Sequence, residues 1–173
     1  MTVWITGLSG AGKSTLACEL EWALVQRGQP AYRLDGDNLR HHLNADLGFT
    51  TADRAENVRR LAEVARLFAD AGTVAIVAAI SPLRESRDAA RKVHACDQLP
   101  FWEVYVDTPL NVCEQRDPKG LYAKARSGQL ANFTGIDAVY EAPISPEYTV
   151  KGGTRDPHEA AERLSGLISD SLR

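Results

Sequence analysis

The chain has 173 residues, which is enough for one domain with a sizeable hydrophobic core and too few for two ordinary domains. Hydrophobic residues make up 44% and charged residues 25% of the sequence, which is the balance of a soluble globular protein. A formal net charge of −3 gives no support to a nucleic-acid-binding or membrane-surface function.

The cysteines and the first residues indicate where the protein works. The three cysteines are scattered and form no C-x-x-C pair, which is typical of reduced thiols and indicates neither a disulfide framework nor a zinc site. The sequence opens on MTVWITG without a charged and apolar leader, and no apolar run approaches the length of a membrane span. We therefore expect a cytoplasmic protein with neither a membrane nor a nucleic acid as partner.

Apolar runs of strand length alternate with helical patterns along the chain. Five runs are predicted strands: residues 3–6, 31–34, 73–80, 101–106 and 148–151. Apolar residues at helical spacing predict a helix that ends at Gly28, a long helix over 58–69 and a C-terminal helix over 161–172.

The alternation of strands and helices predicts an α/β fold. We expect a three-layer parallel sheet flanked by helices, in a single domain over residues 1–173, with the functional loops at the carboxyl ends of the strands. Residues 117–146 break the rhythm with glycines, prolines and basic residues. So long an irregular segment is more often a functional lid than a passive connection, and we expect it to be mobile.

A glycine-rich segment follows the first predicted strand and precedes an amphipathic helix. Residues 7–14 read GLSGAGKS and match the pattern G-x-x-x-x-G-K-[ST] in full, which makes the fold a P-loop NTPase-type sheet. Lys13 should bridge the β- and γ-phosphates of a nucleoside triphosphate, and the Ser14 hydroxyl should bind Mg²⁺. The predicted nucleotide-binding residues are Gly7, Leu8, Ser9, Gly10, Ala11, Gly12, Lys13, Ser14 and Thr15. A glycine-rich turn that fits the pattern by chance is the alternative.

Motor and switch proteins hold magnesium with an Asp at the end of a second apolar strand, and the sequence lacks this feature. The strand predicted at 73–80 ends in ISP, without a carboxylate. Asp107 ends the fourth strand, but Pro109 follows closely, and we interpret Asp107 as a capping residue. The pattern therefore favours a small-molecule kinase over a switch.

A second cluster of charged residues follows the second predicted strand. Asp35 and Asp37, in LDGDN, fall at the sheet edge where ligands of such folds collect. Arg40 comes next, and DRAENVRR supplies Arg54 and Asn57, which are three residues apart on one helix face. A carboxylate that takes a hydroxyl proton, beside arginines that hold an anion, suits phosphorylation of an anionic alcohol. Plain turn chemistry of the two aspartates is the alternative.

Several longer segments together resemble the adenylylsulfate kinase (APS kinase) family. They are GLSGAGKST, LDGDNLRHHLNADLGFTTADRAENVRR, LFADAG, ISPLRESRDAAR, VYVDTPLNVCEQRDPKGLYAKARSG and FTGID, in a match from residue 3 to about 147. The resemblance implies transfer of the γ-phosphate of ATP to the ribose 3′-hydroxyl of adenosine 5′-phosphosulfate (APS), which gives 3′-phosphoadenosine 5′-phosphosulfate (PAPS) and ADP. It also implies ATP and Mg²⁺ as cofactors, a homodimer, and functional association with ATP sulfurylase.

The resemblance assigns roles to single residues of the acceptor side. Asp35 corresponds to the catalytic carboxylate of the family, and Phe49 and Phe133 resemble an aromatic pair that stacks the substrate adenine. The substrate-binding candidates are Asp35, Asp37, Arg40, Phe49, Arg54, Asn57, Ile80, Ser81, Lys119, Lys124 and Phe133. The catalytic candidates are Lys13, Asp35 and Ser81.

Ser81 corresponds to a serine that is described in the family as a phosphoserine intermediate. In-line transfer from ATP to a bound hydroxyl needs positioning and charge neutralisation and no covalent relay, so we favour substrate contact for Ser81. A strand-end turn before Pro82 is the alternative. Arg116 corresponds to a residue that frames the ATP adenine, and Lys119 and Lys124 should reach the anionic ligands when the lid closes, unless they lie on a solvated loop.

The sequence departs from the family pattern at His42, Leu83 and Ala131, where Gly, an aromatic residue and Lys are usual. None of these changes removes a candidate catalytic group. Two other functions are open: another small-molecule kinase on the same scaffold, and a non-catalytic nucleotide-binding subunit of a sulfate-activating complex. Loss of Lys13 or Asp35 would favour the second, and both residues are present.

Overall fold

The five predicted strands form one parallel sheet in the computed structural model of the chain, which describes residues 1–153 and 156–172. The strands are β1 (Thr2–Thr6), β2 (Ala31–Asp35), β3 (Val74–Ala78), β4 (Phe101–Asp107) and β5 (Tyr148–Lys151). Their order in the sheet is β2-β3-β1-β4-β5, and every neighbouring pair is parallel. The predicted α/β sheet is confirmed.

Helices cover both faces of this sheet. They are α1 (Lys13–Gln26), α2 (Gly36–Leu39), α3 (Thr51–Asp70), α4 (Arg84–Cys96), α5 (Leu110–Arg116), α6 (Leu121–Arg126) and α7 (Pro157–Ser171). Successive side chains of β1 point to opposite faces. Val3 and Ile5 therefore pack in one apolar cluster with α1 and α7, while Trp4 packs in a second cluster with α3. The three-layer prediction is confirmed. Within the described part of the chain, no helix combines the length and the apolar character that crossing a membrane requires.

The start of α3 is fixed by a capping box. The Thr50 hydroxyl accepts the backbone N–H of Asp53, and the Asp53 carboxylate accepts the backbone N–H of Thr50. The two bonds satisfy N–H groups that a helix start leaves without partners. They also set the rotation of the first turns, where Arg54 and the buried Asn57 lie.

The third strand is shorter than predicted, because it ends at Ala78 and not at Ile80. Ser81 has a φ of +38°, in the left-handed region that non-glycine residues rarely adopt, and this turns the chain out of the extended conformation. The Thr6 hydroxyl donates to the Ile80 carbonyl at 2.7 Å and holds the turn against the end of β1. The end of the apolar run thus becomes a loop at the edge of the sheet.

Helix α4 has no counterpart among the predicted elements, because much of its inner face is polar. Its buried side chains are those of Arg87, Ala90 and His94. Arg87 pairs with Glu103 at 2.6 Å, and the two ring nitrogens of His94 lie 2.8 Å from the Ala90 carbonyl and 2.7 Å from the Thr2 hydroxyl. Hydrogen bonds satisfy this buried face, so apolar periodicity does not reveal it.

The interpretation of Asp107 as a capping residue is wrong. Its carboxylate pairs with the Lys151 ammonium at 2.5 Å, across the neighbouring strands β4 and β5. Pro109 occupies the N-cap position of α5, which has no side-chain cap. Asp107 ends β4 opposite Lys151 of the adjacent parallel strand β5, so its carboxylate forms an ion pair and does not cap a helix.

Candidate active site

The carboxyl ends of the strands open into a cavity of about 740 Å³, which is within the range of small-molecule sites. All predicted site residues except Gly7, Leu8 and Lys124 line its wall. Those on the wall are Ser9, Gly10, Ala11, Gly12, Lys13, Ser14, Thr15, Asp35, Asp37, Arg40, Phe49, Arg54, Asn57, Ile80, Ser81, Arg116, Lys119 and Phe133. The predicted donor and acceptor sites therefore share one space.

The glycine-rich loop has the geometry of a phosphate cradle. Gly12 precedes α1 with a φ of +107°, which L side chains rarely adopt. A side chain at Gly7 would place its Cβ 2.7 Å from the Val106 carbonyl oxygen, closer than real Cβ contacts allow. The Lys13 ammonium reaches back over the loop and donates to the Leu8 carbonyl at 2.8 Å. Gly7 and Leu8 thus shape the loop from outside the cavity wall.

Lys13 is buried at the bottom of the cavity. Burial lowers its pKa to about 8, although the nearby carboxylates of Asp37 and Asp35 act in the opposite direction. A carbonyl oxygen is a weaker partner for an ammonium group than an anion is. A bound phosphate would therefore stabilise the charged form of Lys13.

Asp35 brings β2 and α1 together at the cavity. Its Oδ2 accepts the Ser14 hydroxyl at 2.8 Å, and its Oδ1 accepts the backbone N–H of Asp37 at 2.9 Å as the cap of α2. Hydroxyl and carboxylate oxygens are the hard ligands that Mg²⁺ prefers, so Ser14 and Asp35 fit a magnesium site. In the described chain, no group of three or more His, Cys, Asp or Glu side chains could hold a metal ion, and phosphates would have to supply further ligands.

Lys119 extends from the predicted lid to the acceptor side of the cavity. Its ammonium forms an ion pair with the Asp37 carboxylate. Both side chains are more than half exposed, so this pair contributes little to stability. The pair does keep the Lys119 ammonium at the cavity, where an anionic ligand could replace Asp37 as its partner.

Two guanidinium groups meet around Phe49. The Arg40 guanidinium lies 4.7 Å from the centre of the Phe49 ring, and the Arg54 Nε donates to the Phe49 carbonyl at 3.0 Å. Burial, and then the neighbouring charge of Arg40, lowers the pKa of Arg54. The negative charge of a bound anion would offset both effects, so this region is suited to a phosphate or sulfate group.

Arg54 also connects α3 to the segment that carries Phe133. Its guanidinium donates to the Thr134 hydroxyl at 2.5 Å and to the Asn132 carbonyl. Phe133 is buried at 6% exposure, whereas Phe49 is 60% exposed. The two rings line the same cavity, one fixed in the core and the other open to solvent.

Ser81 lies on the cavity wall, but its hydroxyl is bound to the protein. The hydroxyl accepts the indole N–H of Trp4 at 3.0 Å and donates to the Ala79 carbonyl at 3.4 Å. The Ser81 carbonyl accepts from Arg87 at 2.7 Å, and Arg87 in turn pairs with the buried Glu103. The residue is 3% exposed, so both its backbone and its side chain are firmly held.

The predicted lid, residues 117–146, consists of two different parts. At its start, the Asp117 carboxylate accepts two backbone N–H groups from the first turn of α6. At its end, the Glu141 N–H donates to the Pro82 carbonyl at 2.9 Å, and the Glu141 carboxylate accepts the N–H of Arg84 at 2.8 Å. The end of the segment is therefore fixed to the start of α4, and it is the earlier part that borders the cavity.

Two predicted ligand contacts lie at the margins of the cavity. Arg116, at the end of α5, lies on the cavity wall and donates from Nη1 to the Gly10 carbonyl of the phosphate loop at 3.3 Å. Lys124 is exposed on α6 and does not line the wall. Of the positions that depart from the family pattern, Ala131 lies on the wall and His42 is exposed.

Four residues that the sequence motifs do not single out support the site. The Tyr122 hydroxyl donates to the Ser9 carbonyl at 3.0 Å, and the Thr108 hydroxyl donates to the Ala11 carbonyl at 2.8 Å. Arg87 donates to the Ser81 carbonyl, and Asn44 donates to the Asn57 side chain. The four supporting residues are therefore Asn44, Arg87, Thr108 and Tyr122. All four are buried, and apart from the family resemblance the sequence carries no signal for such long-range contacts.

A model of the adenylylsulphate kinase family matches residues 1–151 of the chain. The chain belongs to the adenylylsulphate kinase family. An adenylyl-sulfate kinase of Emericella nidulans is 56% identical to this family member in an alignment 170 residues long, which covers 95% of this chain and 82% of the relative. The bifunctional enzyme CysN/CysC of Mycobacterium tuberculosis is also 56% identical, in an alignment that covers 98% of this chain but only 28% of that protein.

Solved structures of the adenylylsulphate kinase family have the same fold. The structure of the Mycobacterium tuberculosis APS kinase CysC in complex with AMPPNP and APS matches with a TM-score of 0.94 at 56% sequence identity. The match covers 97% of this chain and 96% of that chain. The sheet order and the layers described above are therefore those of a known APS kinase.

Proposed function

We propose that this family member is an adenylylsulfate kinase, which transfers the γ-phosphate of ATP to the ribose 3′-hydroxyl of APS and releases PAPS and ADP. The observation that carries the proposal is a single cavity that joins the phosphate loop to Asp35 and to the guanidinium groups of Arg40 and Arg54. The related structure of Mycobacterium tuberculosis is a complex with AMPPNP and APS, which supports two nucleotides in a site of this kind.

On the donor side, the phosphate loop would bind ATP through its backbone N–H groups and through Lys13. Lys13 already lies against the loop, and the charged ammonium would pass from the Leu8 carbonyl to the phosphates. The Ser14 hydroxyl, with Asp35 beside it, would hold Mg²⁺. The ion would neutralise charge on the transferring phosphoryl group. Arg116, at the edge of the loop, would lie beside the ATP.

On the acceptor side, Asp35 would take the proton of the 3′-hydroxyl of APS. The hydroxyl oxygen then forms the new bond to the γ-phosphorus, and the bond from that phosphorus to the bridging oxygen breaks to release ADP. Arg40, Arg54 and Asn57 would hold the phosphosulfate group, since all three line the cavity and can donate hydrogen bonds to an anion. The aromatic ring of Phe49 would cover the substrate adenine from the solvent side and Phe133 from the core side.

The role of Ser81 in this scheme is to shape the wall beside the acceptor, with Ile80. Its hydroxyl is bound to Trp4 and is 3% exposed, and a phosphoserine would require that bond to break. Direct transfer between two bound nucleotides needs no such intermediate. We therefore prefer substrate contact by the Ser81 loop over a covalent role.

We also propose that residues 1–173 form one catalytic domain with a mobile lid. The contacts of Glu141, the burial of Phe133 and the bonds of Arg54 to the residues beside Phe133 limit the moving part to the residues between Asp117 and Ala131. Lys119 would exchange Asp37 for an anionic ligand on closure, and Lys124 would reach the site only if α6 moved. Closure would exclude water that could otherwise hydrolyse ATP.

The test is a turnover assay with ATP, Mg²⁺ and APS, in which ADP and PAPS are both measured. We expect equal amounts of ADP and PAPS, and no ADP when APS is omitted. ADP formed with another alcohol but not with APS would indicate another small-molecule kinase. Binding of nucleotide without turnover of any acceptor would indicate a non-catalytic subunit.

Partners and location are further proposals. The bifunctional CysN/CysC protein of Mycobacterium tuberculosis contains a segment similar to this chain, which supports a functional association with ATP sulfurylase. A homodimer follows from the family resemblance. The cytoplasm is the proposed location, because Cys18, Cys96 and Cys113 are all free thiols.

A further inference from the structure

Asn44 is a buried polar residue whose side chain is only partly satisfied. It has 0% exposure, and its amide oxygen has no hydrogen-bond partner within residues 1–153 and 156–172. Its Nδ2 donates to the Asn57 Oδ1 at 3.0 Å. A buried acceptor without a partner destabilises the folded state, and an apolar side chain of similar size would avoid that cost. The presence of a polar side chain at position 44 therefore needs a reason, and its bond to Asn57 offers one.

The bond from Asn44 fixes which end of the Asn57 amide is available to a ligand. Asn57 is 6% exposed and lies on the wall of the cavity. Its oxygen is occupied by Asn44, and no hydrogen bond of its nitrogen is seen among the described residues. The oxygen and the nitrogen belong to one planar group, so holding the first also sets the direction of the second.

Asn44 itself is held in place by the turn that follows α2. Its N–H donates to the Leu39 carbonyl at 2.9 Å, and its carbonyl accepts the N–H of Leu47 at 3.1 Å. These two bonds hold the backbone of Asn44 so that its side chain faces the first turns of α3, where its Nδ2 donates to Asn57. It does not line the cavity and cannot touch a ligand there.

We infer that Asn44 is a positioning residue for the acceptor: it orients the Asn57 amide so that its N–H₂ group, and not its oxygen, meets the anionic phosphosulfate. This inference rests on the proposed function, because it takes APS as the ligand. A reversed Asn57 amide would present an oxygen with partial negative charge to an anion. The Asn44 bond opposes that reversal, since a reversed Asn57 amide would turn its own N–H₂ group toward the Nδ2 of Asn44, and two donors would then face each other without an acceptor.

The first test is Asn44→Leu, which removes the donor and the orphan acceptor at nearly constant size. We expect the KM for APS to rise about tenfold, the lower range for a hydrogen bond to a charged group. The kcat and the KM for ATP should change less than threefold. Thr2→Val is the matched control. The Thr2 hydroxyl is buried and bonded to His94 at 2.7 Å, and Thr2 is the first residue of β1, at the edge of the sheet opposite the cavity. It should lower the melting temperature and leave both KM values unchanged.

The second test compares Asn44→Leu, Asn57→Ala and the double variant. If Asn44 acts only through Asn57, the double variant has the same KM for APS as Asn57→Ala alone. Effects that multiply in the double variant would overturn the inference, because they would mean that Asn44 acts on the acceptor site by another route.

The third test, Asn44→Asp, adds a pH profile that a purely structural role would not produce. A protonated carboxyl group still donates to Asn57, whereas an ionised one only accepts and would reverse the Asn57 amide. The KM for APS of this variant should be near the wild-type value at low pH and rise as the introduced group ionises. A KM profile parallel to that of the wild type would count against the inference. If the wild type itself fails to convert APS, it is the proposed function that fails.

Discussion

Asp35 divides its carboxylate between two neighbours. One oxygen accepts the Ser14 hydroxyl at 2.8 Å and the other accepts the backbone N–H of Asp37 at 2.9 Å. An Asn side chain at this position can keep the bond from Ser14 through its single oxygen, but it cannot take up a proton. Substitution by Asn therefore removes the proposed acid–base role of Asp35 while it preserves the contact with Ser14.

We expect Asp35→Asn to lower kcat by about 10²- to 10⁴-fold, the usual contribution of a general base, and to leave the Kd for ATP in the absence of Mg²⁺ nearly unchanged, because Asp35 would contact the ion and not the phosphate loop. Steady-state ADP release and an ATP titration measure the two quantities. Asp46→Asn is the control, because Asp46 is an exposed acid that pairs with Arg60 at 2.6 Å. That control should retain the wild-type kcat. Full activity of Asp35→Asn would remove the assignment of Asp35 as the base.

Ser81→Ala tests whether the Ser81 hydroxyl is a nucleophile or a structural acceptor. The change leaves the buried indole N–H of Trp4 without its partner, and we expect the free energy of unfolding to fall by about 1–3 kcal/mol. We expect kcat to stay within tenfold of the wild type, since transfer is direct. Loss of turnover to the background level, with the fold intact, would instead support a phosphoserine intermediate.

Single residues inside motifs could be predicted from the sequence, whereas their supporting contacts could not. The phosphate loop, Asp35 and Arg54 stand in patterns whose chemistry is local. Asn44 and Tyr122 act through hydrogen bonds to Asn57 and to the Ser9 carbonyl, over 13 and 113 residues. Such pairs depend on how the elements pack, which neither composition nor periodicity contains.

At the scale of elements, apolar periodicity located the strands and the long helices but not α4 and not the end of β3. Helix α4 buries Arg87 and His94, so its inner face carries charge and a ring nitrogen instead of an apolar stripe. Strand β3 ends two residues before the apolar run does: the Ile80 carbonyl is held by the Thr6 hydroxyl, and Ser81, which follows the run, has a left-handed φ. In both cases side-chain hydrogen bonds, and not hydrophobicity, decide the local structure.

The phosphate loop and the start of α1 predict a dependence of ATP binding on pH. Burial lowers the pKa of Lys13 from 10.5 to about 8 in the free protein, and bound phosphates would raise it again. Below pH 8 the Lys13 ammonium is already charged in the free protein, so Lys13 contributes no pH dependence to the ATP affinity in that range. Above pH 8, binding must take up a proton, so the Kd should rise and approach a tenfold increase per pH unit.

Calorimetric titration with ATP between about pH 7 and 9.5, in buffers of different ionisation enthalpy, measures both the Kd and the proton uptake. Lys13→Met is the control, since it should bind ATP weakly and without this slope. A wild-type Kd that stays constant from pH 8 to 9.5 would contradict the prediction.

At the scale of the whole molecule, one buried ion pair joins parts of the chain that are far apart in sequence. Arg87 of α4 pairs with Glu103 of β4 at 2.6 Å, and its other nitrogens donate to the carbonyls of Ser81 and Glu141 at 2.7 Å each. A strand, a helix, the acceptor loop and the end of the predicted lid therefore meet at one guanidinium group. Removing it should affect the entire fold.

Arg87→Met should lower the free energy of unfolding by about 3–5 kcal/mol, because Glu103 is left buried and without its main partner. For a domain of this size the melting temperature should fall by about 10 °C. The double variant Arg87→Met, Glu103→Leu should recover much of that loss, since no unpaired charge is left inside. Thermal unfolding followed by circular dichroism measures all three. Equal melting temperatures of the wild type and Arg87→Met would show that the pair does not hold the fold.

Trp4 provides an optical consequence of this architecture. Its indole has 0% exposure and donates to the Ser81 hydroxyl, whereas Trp22 is 53% exposed and Trp102 is partly exposed. A collisional quencher such as acrylamide would reach the outer indoles and spare the inner one. With Trp22 and Trp102 replaced by Phe, the remaining emission would come from a chromophore attached to the loop beside the acceptor, and the arrival of a nucleotide could be followed without an added dye.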